Sequence, residues 1–307
     1  MTTPRLSHQI TDPNDPKEEI GRMYSRYPDG EPEVPSITTL IAMKNAKMEW
    51  WRGLCAGKEA VAGAERIATA LSSLEGHARM EKERAITDWI DKSAVRDMNI
   101  ASKRGDIIHD YAEKLCRHML GESFDIPTER ETAMNDLHVA DPNLAYESAN
   151  GYLSSVESFL KDFEVKPVTA EGTVWNHEVG YAGTNDLLCY INDKLTLLDW
   201  KTKKKIKDPN SRWYKPSIRD TIAIQLEAAQ HGDEKFDEDK GEWVEWEGTN
   251  AEEQLGVAIG PNGYEAIRVI RKPDTWEMVK ALKQVWDWSF PNNDHIVGTP
   301  VTDPSQL

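Results

Sequence analysis

The chain is 307 residues long, 39% hydrophobic, and carries a formal net charge of −16. That length suits one large domain or two small ones with an ample core; the charge argues against a protein that coats DNA over its whole surface, though not against an enzyme with one local cationic channel. No apolar run approaches the roughly 18 residues of a membrane helix, the N-terminus lacks a signal-peptide pattern, and three isolated cysteines (Cys55, Cys116, Cys189) without a CxxC pair argue against a zinc ribbon or an iron–sulfur cluster, so a soluble cytoplasmic protein with no membrane partner is expected.

Residues 1–33 are polar and rich in proline and charge, and read as a flexible N-terminal arm. Pro35-Ser36-Ile37-Thr38-Thr39-Leu40-Ile41 looks like a cap followed by a helix start. From there to about Met119 the texture is helical, with Ala60–Leu74 and Ile100–Met119 as amphipathic segments and Trp50 and Trp51 as core residues. A loop holding Pro127 and Pro142 leads to a further helix over Tyr146–Phe163. Near Val165 the character changes. Thr173–Trp175, Leu187–Ile191 and Leu195–Trp200 are strand candidates, the last two joined by the turn signal Asn192-Asp193-Lys194, which suggests an antiparallel meander. Ile218, Ile222, Leu226 and Ala229 fall on one helix face. Asp233–Glu253 holds ten acids and two lysines and reads as a solvated excursion. Gly256–Ile259 and Ala266–Ile270 flank Pro261-Asn262-Gly263 as a hairpin, and Thr275–Trp288 forms a closing helix.

Two acids and a lysine stand out in the central strands. Alternate residues of a strand share a face, so Asp199 and Lys201 point the same way and Trp200 the other. Asp186, beside the glycine turn Gly183-Thr184-Asn185, lies across the hairpin and can meet Asp199 over the strand pair. Two poorly solvated carboxylates at that separation repel by on the order of a few kcal/mol. A hard divalent cation, Mg²⁺ or Mn²⁺, relieves this, and the lysine adds a positive charge able to hold a water or stabilise a charged transition state. Such an apparatus suits metal-assisted phosphodiester hydrolysis. Acid-x-lysine on a strand is also common as an exposed ion pair of little consequence.

Tyr181-Ala182-Gly183-Thr184-Asn185-Asp186 followed by Leu197-Leu198-Asp199-Trp200-Lys201-Thr202 resembles the core of the RecB-like branch of the PD-(D/E)xK nuclease superfamily, in particular the mitochondrial genome maintenance exonucleases and their phage relatives. The resemblance runs from about Ser36 to Ala229. It implies an upstream glutamate on an adjacent strand, for which Glu171 is preferred and Glu178 competes, with His177 near by as a supporting residue. It implies a histidine in the pattern RGxxxH, matched by Arg104-Gly105-Asp106-Ile107-Ile108-His109, and a glutamine on the helix after the lysine, matched by Gln225. The tyrosine that usually follows this glutamine is replaced by Ala229, and the cysteines of the cluster-binding relatives are missing, so no iron–sulfur cluster is expected. The implied metal ligands are His109, Glu171, Asp186, Asp199 and the Trp200 carbonyl. Asp186, Asp199, Lys201 and Glu171 would carry catalysis.

Lys203, Lys204 and Lys205, continuing through Lys207, Arg212, Lys215 and Arg219, form a basic run directly after the site and are candidate phosphate contacts. Trp213 and Tyr214 either stack on unpaired bases or pack beneath the loop. Ser36 and Thr38 either bind phosphate at a helix start or only cap it. The expected fold is α/β, with a restriction-endonuclease-like central mixed sheet flanked by helices. A helical region over 34–165 would contribute His109, and the nuclease core would occupy 166–307. The resemblance implies a metal-dependent DNA exonuclease in phage or bacterial recombination, repair or replication. It would act on single strands or duplex ends in a cell's or viral host's cytoplasm, with a single-strand annealing or recombinase protein as a candidate partner. A structure-specific or restriction-type endonuclease and a non-catalytic DNA-binding scaffold are the rival readings.

Overall fold

The computed structural model describes residues 6–11, 19–44 and 48–290, and the side chains of Trp50 and Trp51 lie outside what is described. The meander expected from the sequence is the centre of the molecule. β4 (Lys166–Asn176), β5 (Tyr181–Ile191) and β6 (Lys194–Thr202) pair antiparallel in succession. The β5–β6 turn is made by Asn192 and Asp193 with φ of 49° and 60°, left-handed values that Asn and Asp tolerate and that tight hairpins require. β9 (Glu253–Gly260) lies parallel to β6, and β10 (Gly263–Arg268) closes that edge. β7 (Glu234–Asp237) and β8 (Glu242–Glu245) close the other, giving one mixed seven-stranded sheet in the order β10-β9-β6-β5-β4-β7-β8.

Both faces of the central strands are covered, which is why β5 and β6 read as continuous apolar runs rather than as an alternation. On one face α4 (Ser93–Met119), α5 (Ile126–Ala140) and α6 (Tyr146–Asp162) bury Ile108, Tyr111, Leu153 and Phe159 against Leu187, Leu198, Trp200 and Val257. On the other, α7 (Thr221–Gln230) sets Ile222 and Leu226 on Leu188, Leu195 and Leu197. Successive residues of β6 thus go to opposite layers. Trp200 meets Phe159 edge-on at 5.3 Å, while Asp199 and Lys201 share the α7 side with Leu197. A short helix, α1 (Ile37–Ala42), packs with Tyr181, Ile224 and the closing helix α8 (Thr275–Ser289). Its cap is Ser36, whose Oγ accepts the Thr39 N–H at 3.0 Å. Two further helices, α2 (Met48–Ser72) and α3 (Gly76–Asp91), precede α4. Among the described residues no helix is long and apolar enough to cross a membrane.

Two expectations change. The described part of residues 1–33 is not a free arm: β1 (Ser7–Thr11), β2 (Glu19–Tyr24) and β3 (Val34–Pro35) form a small antiparallel sheet. Leu6 and Tyr24 pack there on Trp175, Ala182 and Phe236. Its few apolar residues are too dispersed to give a strand signal. The acidic stretch is not a solvated excursion throughout either. Its strands β7 and β8 extend the sheet, and Trp246 is fully buried with its Nε1–H donated to the Ala229 carbonyl at 2.8 Å. The charge run masked this anchor.

Candidate active site

The site forms where β5 and β6 stop pairing. Their ladder runs from Ile191–Lys194 to Leu187–Leu198, and the next position on each strand is an aspartate. There a side chain takes over from the backbone: Asp186 Oδ2 accepts the Trp200 N–H at 2.7 Å. Asp199 is 1% exposed, and neither of its carboxylate oxygens accepts a well-directed hydrogen bond. Its counter-charge is Lys201 Nζ at 2.5 Å, which also donates to Gln225 Oε1 of α7 at 3.3 Å. The face-sharing of Asp199 and Lys201 inferred from strand period is thus present, and Gln225 joins them.

Glu171 reaches the same place from β4. The β4–β5 register runs unshifted from Ala170–Leu187 to Gly172–Asn185 but leaves Glu171, opposite Asp186, unpaired, and the φ of Glu171 is 50°. A non-glycine residue in the left-handed region costs roughly 1–2 kcal/mol, and such strain concentrates at functional sites. The competing Glu178 lies exposed in the β4–β5 turn. His177 beside it is tied through its backbone N–H to Asp233 and through its ring to Glu234, so it supports that turn rather than the site.

His109 comes from α4. Its Nδ1 lies 3.6 Å from Asp186 Oδ2, and its ring meets the Trp200 backbone. The rest of the RGxxxH pattern is structural. Arg104 is buried over the Tyr152 ring, 5.6 Å from its centroid. At Gly105 the helix passes close to the end of β6, where a Cβ would sit 3.5 Å from Thr202 Oγ1. Ligand atoms of His109, Glu171 and Asp186 all lie within 4.8 Å of one another, a group that could hold a metal ion.

His109, Glu171, Asp186, Lys201 and Gln225 line a cleft of about 540 Å³, and Asp199 lies buried behind it. Burial raises the carboxyl groups of Asp186 and Asp199 to about 6, and the mutual repulsion of the two adds to the rise at Asp199. Glu171 is raised to about 9 by burial, with Asp186, Glu113 and Asp199 adding to it. Burial pulls Lys201 down, but the surrounding carboxylates outweigh it and hold the ammonium above its usual range. Burial also lowers His109, leaving a neutral imidazole fit to ligate. Three crowded acids served by one lysine ammonium are the environment that a hard cation relieves. Carboxylate oxygens with one imidazole suit Mg²⁺ or Mn²⁺.

Other predicted residues sit around this centre. Ser36 and Thr38 line the cleft, with Ser36 committed to its cap and Thr38 exposed. Lys203 is half-buried with burial depressing its ammonium, and Lys204, Lys205 and Arg212 are exposed. Trp213 stands 78% exposed and does not pack beneath the loop, whereas the Tyr214 hydroxyl is tied to Glu265. Two cleft residues escaped the sequence reading. Glu113, one turn beyond His109, is paired with Arg117 at 3.0 Å and pushed up by burial; the i, i+4 spacing from His109 was its signal. Arg22 reaches the cleft from β2 and had no signal inside a segment read as an arm.

No family model matches the chain. A stretch of 85 residues is 35% identical to mitochondrial genome maintenance exonuclease 1 of Xenopus tropicalis, covering 28% of this chain and 22% of that protein. The match thus spans about a fifth of the relative, and it supports a nuclease-like relationship. The solved structure of SSO0001 covers 66% of this chain and 89% of its own at 14% identity, with a TM-score of 0.28, a likeness too slight to argue from.

Proposed function

We propose that this chain is a Mg²⁺- or Mn²⁺-dependent deoxyribonuclease of the PD-(D/E)xK type with a restriction-endonuclease-like core, working as an exonuclease in phage or bacterial DNA recombination, repair or replication. The observation that carries this reading is the convergence of His109, Glu171 and Asp186 on one cleft, with the buried Asp199–Lys201 pair directly beside them. A structural ion pair would not gather two more carboxyl groups and a neutral imidazole around itself, because each buried acid adds desolvation and repulsion. The partial likeness to an exonuclease points the same way.

Asp186, Asp199, Glu171 and His109 would hold the ion, with the Trp200 carbonyl beside them. A divalent ion there supplies Lewis-acid polarisation of the scissile phosphate and a lowered pKa for the attacking water. Lys201 keeps its ammonium over the cleft, held by Gln225 Oε1, where it meets the charge that develops on phosphate oxygens. His109, held neutral by burial, would offer a ring nitrogen to the ion beside Asp186. The exposed lysines after β6 carry the DNA backbone past the site.

Digestion of end-labelled linear single- and double-stranded DNA with Mg²⁺ or Mn²⁺ tests this reading. Wild type should shorten the label's strand from an end, and Asp199→Ala and Lys201→Ala should each lose about a thousandfold or more of that rate. Cutting of closed circular single strands would replace the exonuclease with an endonuclease. DNA binding without cleavage under either metal would replace the enzyme with a scaffold.

A further inference from the structure

The connection between β6 and α7 joins the two halves of the site: it begins two residues after Lys201 and ends five before Gln225. From Lys203 to Arg219 it holds seven cations and one acid in a chain whose net charge is −16. Its stem is pinned. The Ile206 N–H donates to Asn262 Oδ1 at 2.8 Å, and Asn262 Nδ2 donates back to the Ile206 carbonyl at 2.9 Å. On the return, Glu265 accepts the Ser217 N–H at 2.9 Å and the Tyr214 hydroxyl. Between these clamps Trp213 stands with its ring in solvent, 78% exposed, and the Arg212 guanidinium lies 5.2 Å from the ring centroid.

We propose that Trp213, backed by Arg212, is a stacking platform for an unpaired nucleobase, and that the loop thereby selects single-stranded DNA leaving the cleft. This inference rests on the nuclease reading and names the strand form that the site takes. An indole held open to water on a cationic loop has little to gain from a protein partner that must also neutralise the charge. Single-stranded nucleic acid brings phosphates for the lysines and a free π-face for the indole. A blunt duplex brings the phosphates alone, since its bases are stacked on each other. The two clamps hold the loop before substrate arrives, so less conformational entropy is lost on binding.

The test is fluorescence anisotropy of the full chain in EDTA. The probes are a labelled oligothymidylate, an abasic oligomer of equal length and charge, and a blunt duplex. Wild type should bind the thymidylate about five- to a hundredfold tighter than the abasic strand, the range lost with one base–aromatic stack. Trp213→Ala should bring the thymidylate down to the abasic level with an unchanged salt slope, because no phosphate contact is removed. Trp213→Phe should keep most of the difference. Equal affinity of wild type for the two single strands, or a Trp213→Ala chain that binds like wild type, overturns the platform while end-dependent cleavage leaves the nuclease standing. A wild-type chain that neither binds nor cuts any DNA removes the nuclease reading and the platform with it.

Discussion

Asp186 holds Trp200 by the backbone: its Oδ2 takes the Trp200 N–H at 2.7 Å immediately past the last β5–β6 pair, Leu187–Leu198. A side chain here does the work of a strand carbonyl, so the carboxylate is fixed in direction by the sheet. Asn at this position keeps an acceptor for that N–H and loses the charge. With the carboxyl group of Asp186 raised to about 6 by burial, the charge is a cost in the metal-free protein at neutral pH. Asp186→Asn should therefore raise the metal-free Tm by about 2–8 °C, abolish the further rise on adding Mn²⁺, and abolish cleavage. A lower metal-free Tm would mean that the charge is already compensated without a cation.

The same crowding sets a pH dependence of stability without metal. Asp186 and Asp199 have folded-state values raised to about 6, and Glu171 to about 9. The folded chain then binds more protons than the unfolded one between the ordinary carboxylate range and these values, so stability falls as pH rises through that window. In EDTA the Tm should be higher at pH 5 than at pH 7.5 and fall further towards pH 9. Saturating Mn²⁺ should flatten or reverse the trend, since the ion favours the ionised ligands. Thermal unfolding across this range with and without metal measures it, and an EDTA profile that rises with pH would contradict the arrangement of the three acids.

The centre of the site was legible because strand period and hairpin register are local rules. Asp199 and Lys201 share a face through their spacing, and Asp186 follows from the Asn192-Asp193 turn that sets the β5–β6 register. Glu171 and His109 came from a resemblance. Nothing in their own neighbourhoods predicts a left-handed residue in β4, or a helix so close to β6 that a Cβ at Gly105 would meet Thr202 at 3.5 Å. Arg22 and the β1–β3 sheet were lost for a different reason. Tyr24 and Leu6 are buried by Trp175 and Phe236, residues far along the chain, and a segment whose only apolar contacts are distant looks polar from within. Trp246 was hidden likewise in the acid run that carries it.

Glu171 offers a test of backbone conformation apart from charge. At φ of 50°, glycine is at home and a β-branched residue is strongly disfavoured. Neither Glu171→Gly nor Glu171→Val can hold a cation, so both should lose cleavage. Their stabilities should separate, with the glycine variant more stable than the valine variant by about 1–3 kcal/mol in urea unfolding. Equal midpoints and slopes would show that β4 runs through this position as an ordinary strand.

Arg22 is exposed on β2 and lines the cleft, and among the described residues no carboxylate pairs with its guanidinium. Its backbone is firmly placed. The Arg22 N–H donates to Thr39 Oγ1 at 2.8 Å, and its carbonyl accepts from the Thr39 hydroxyl at 3.0 Å and from the Ser36 N–H at 2.8 Å. An unpaired cation on the wall of a cleft crowded with acids is positioned for a substrate anion, and a phosphate of the bound strand fits. Arg22→Ala should weaken DNA binding by about tenfold and lower the salt slope by about one. The Mn²⁺-induced rise in Tm and the turnover at saturating DNA should stay near wild type, because Arg22 lies outside the His109–Glu171–Asp186 group. A collapse of turnover with unchanged DNA affinity would instead put its guanidinium on the reacting phosphate. An unchanged salt slope with full activity would mean that the side chain faces solvent and the small sheet serves the fold alone.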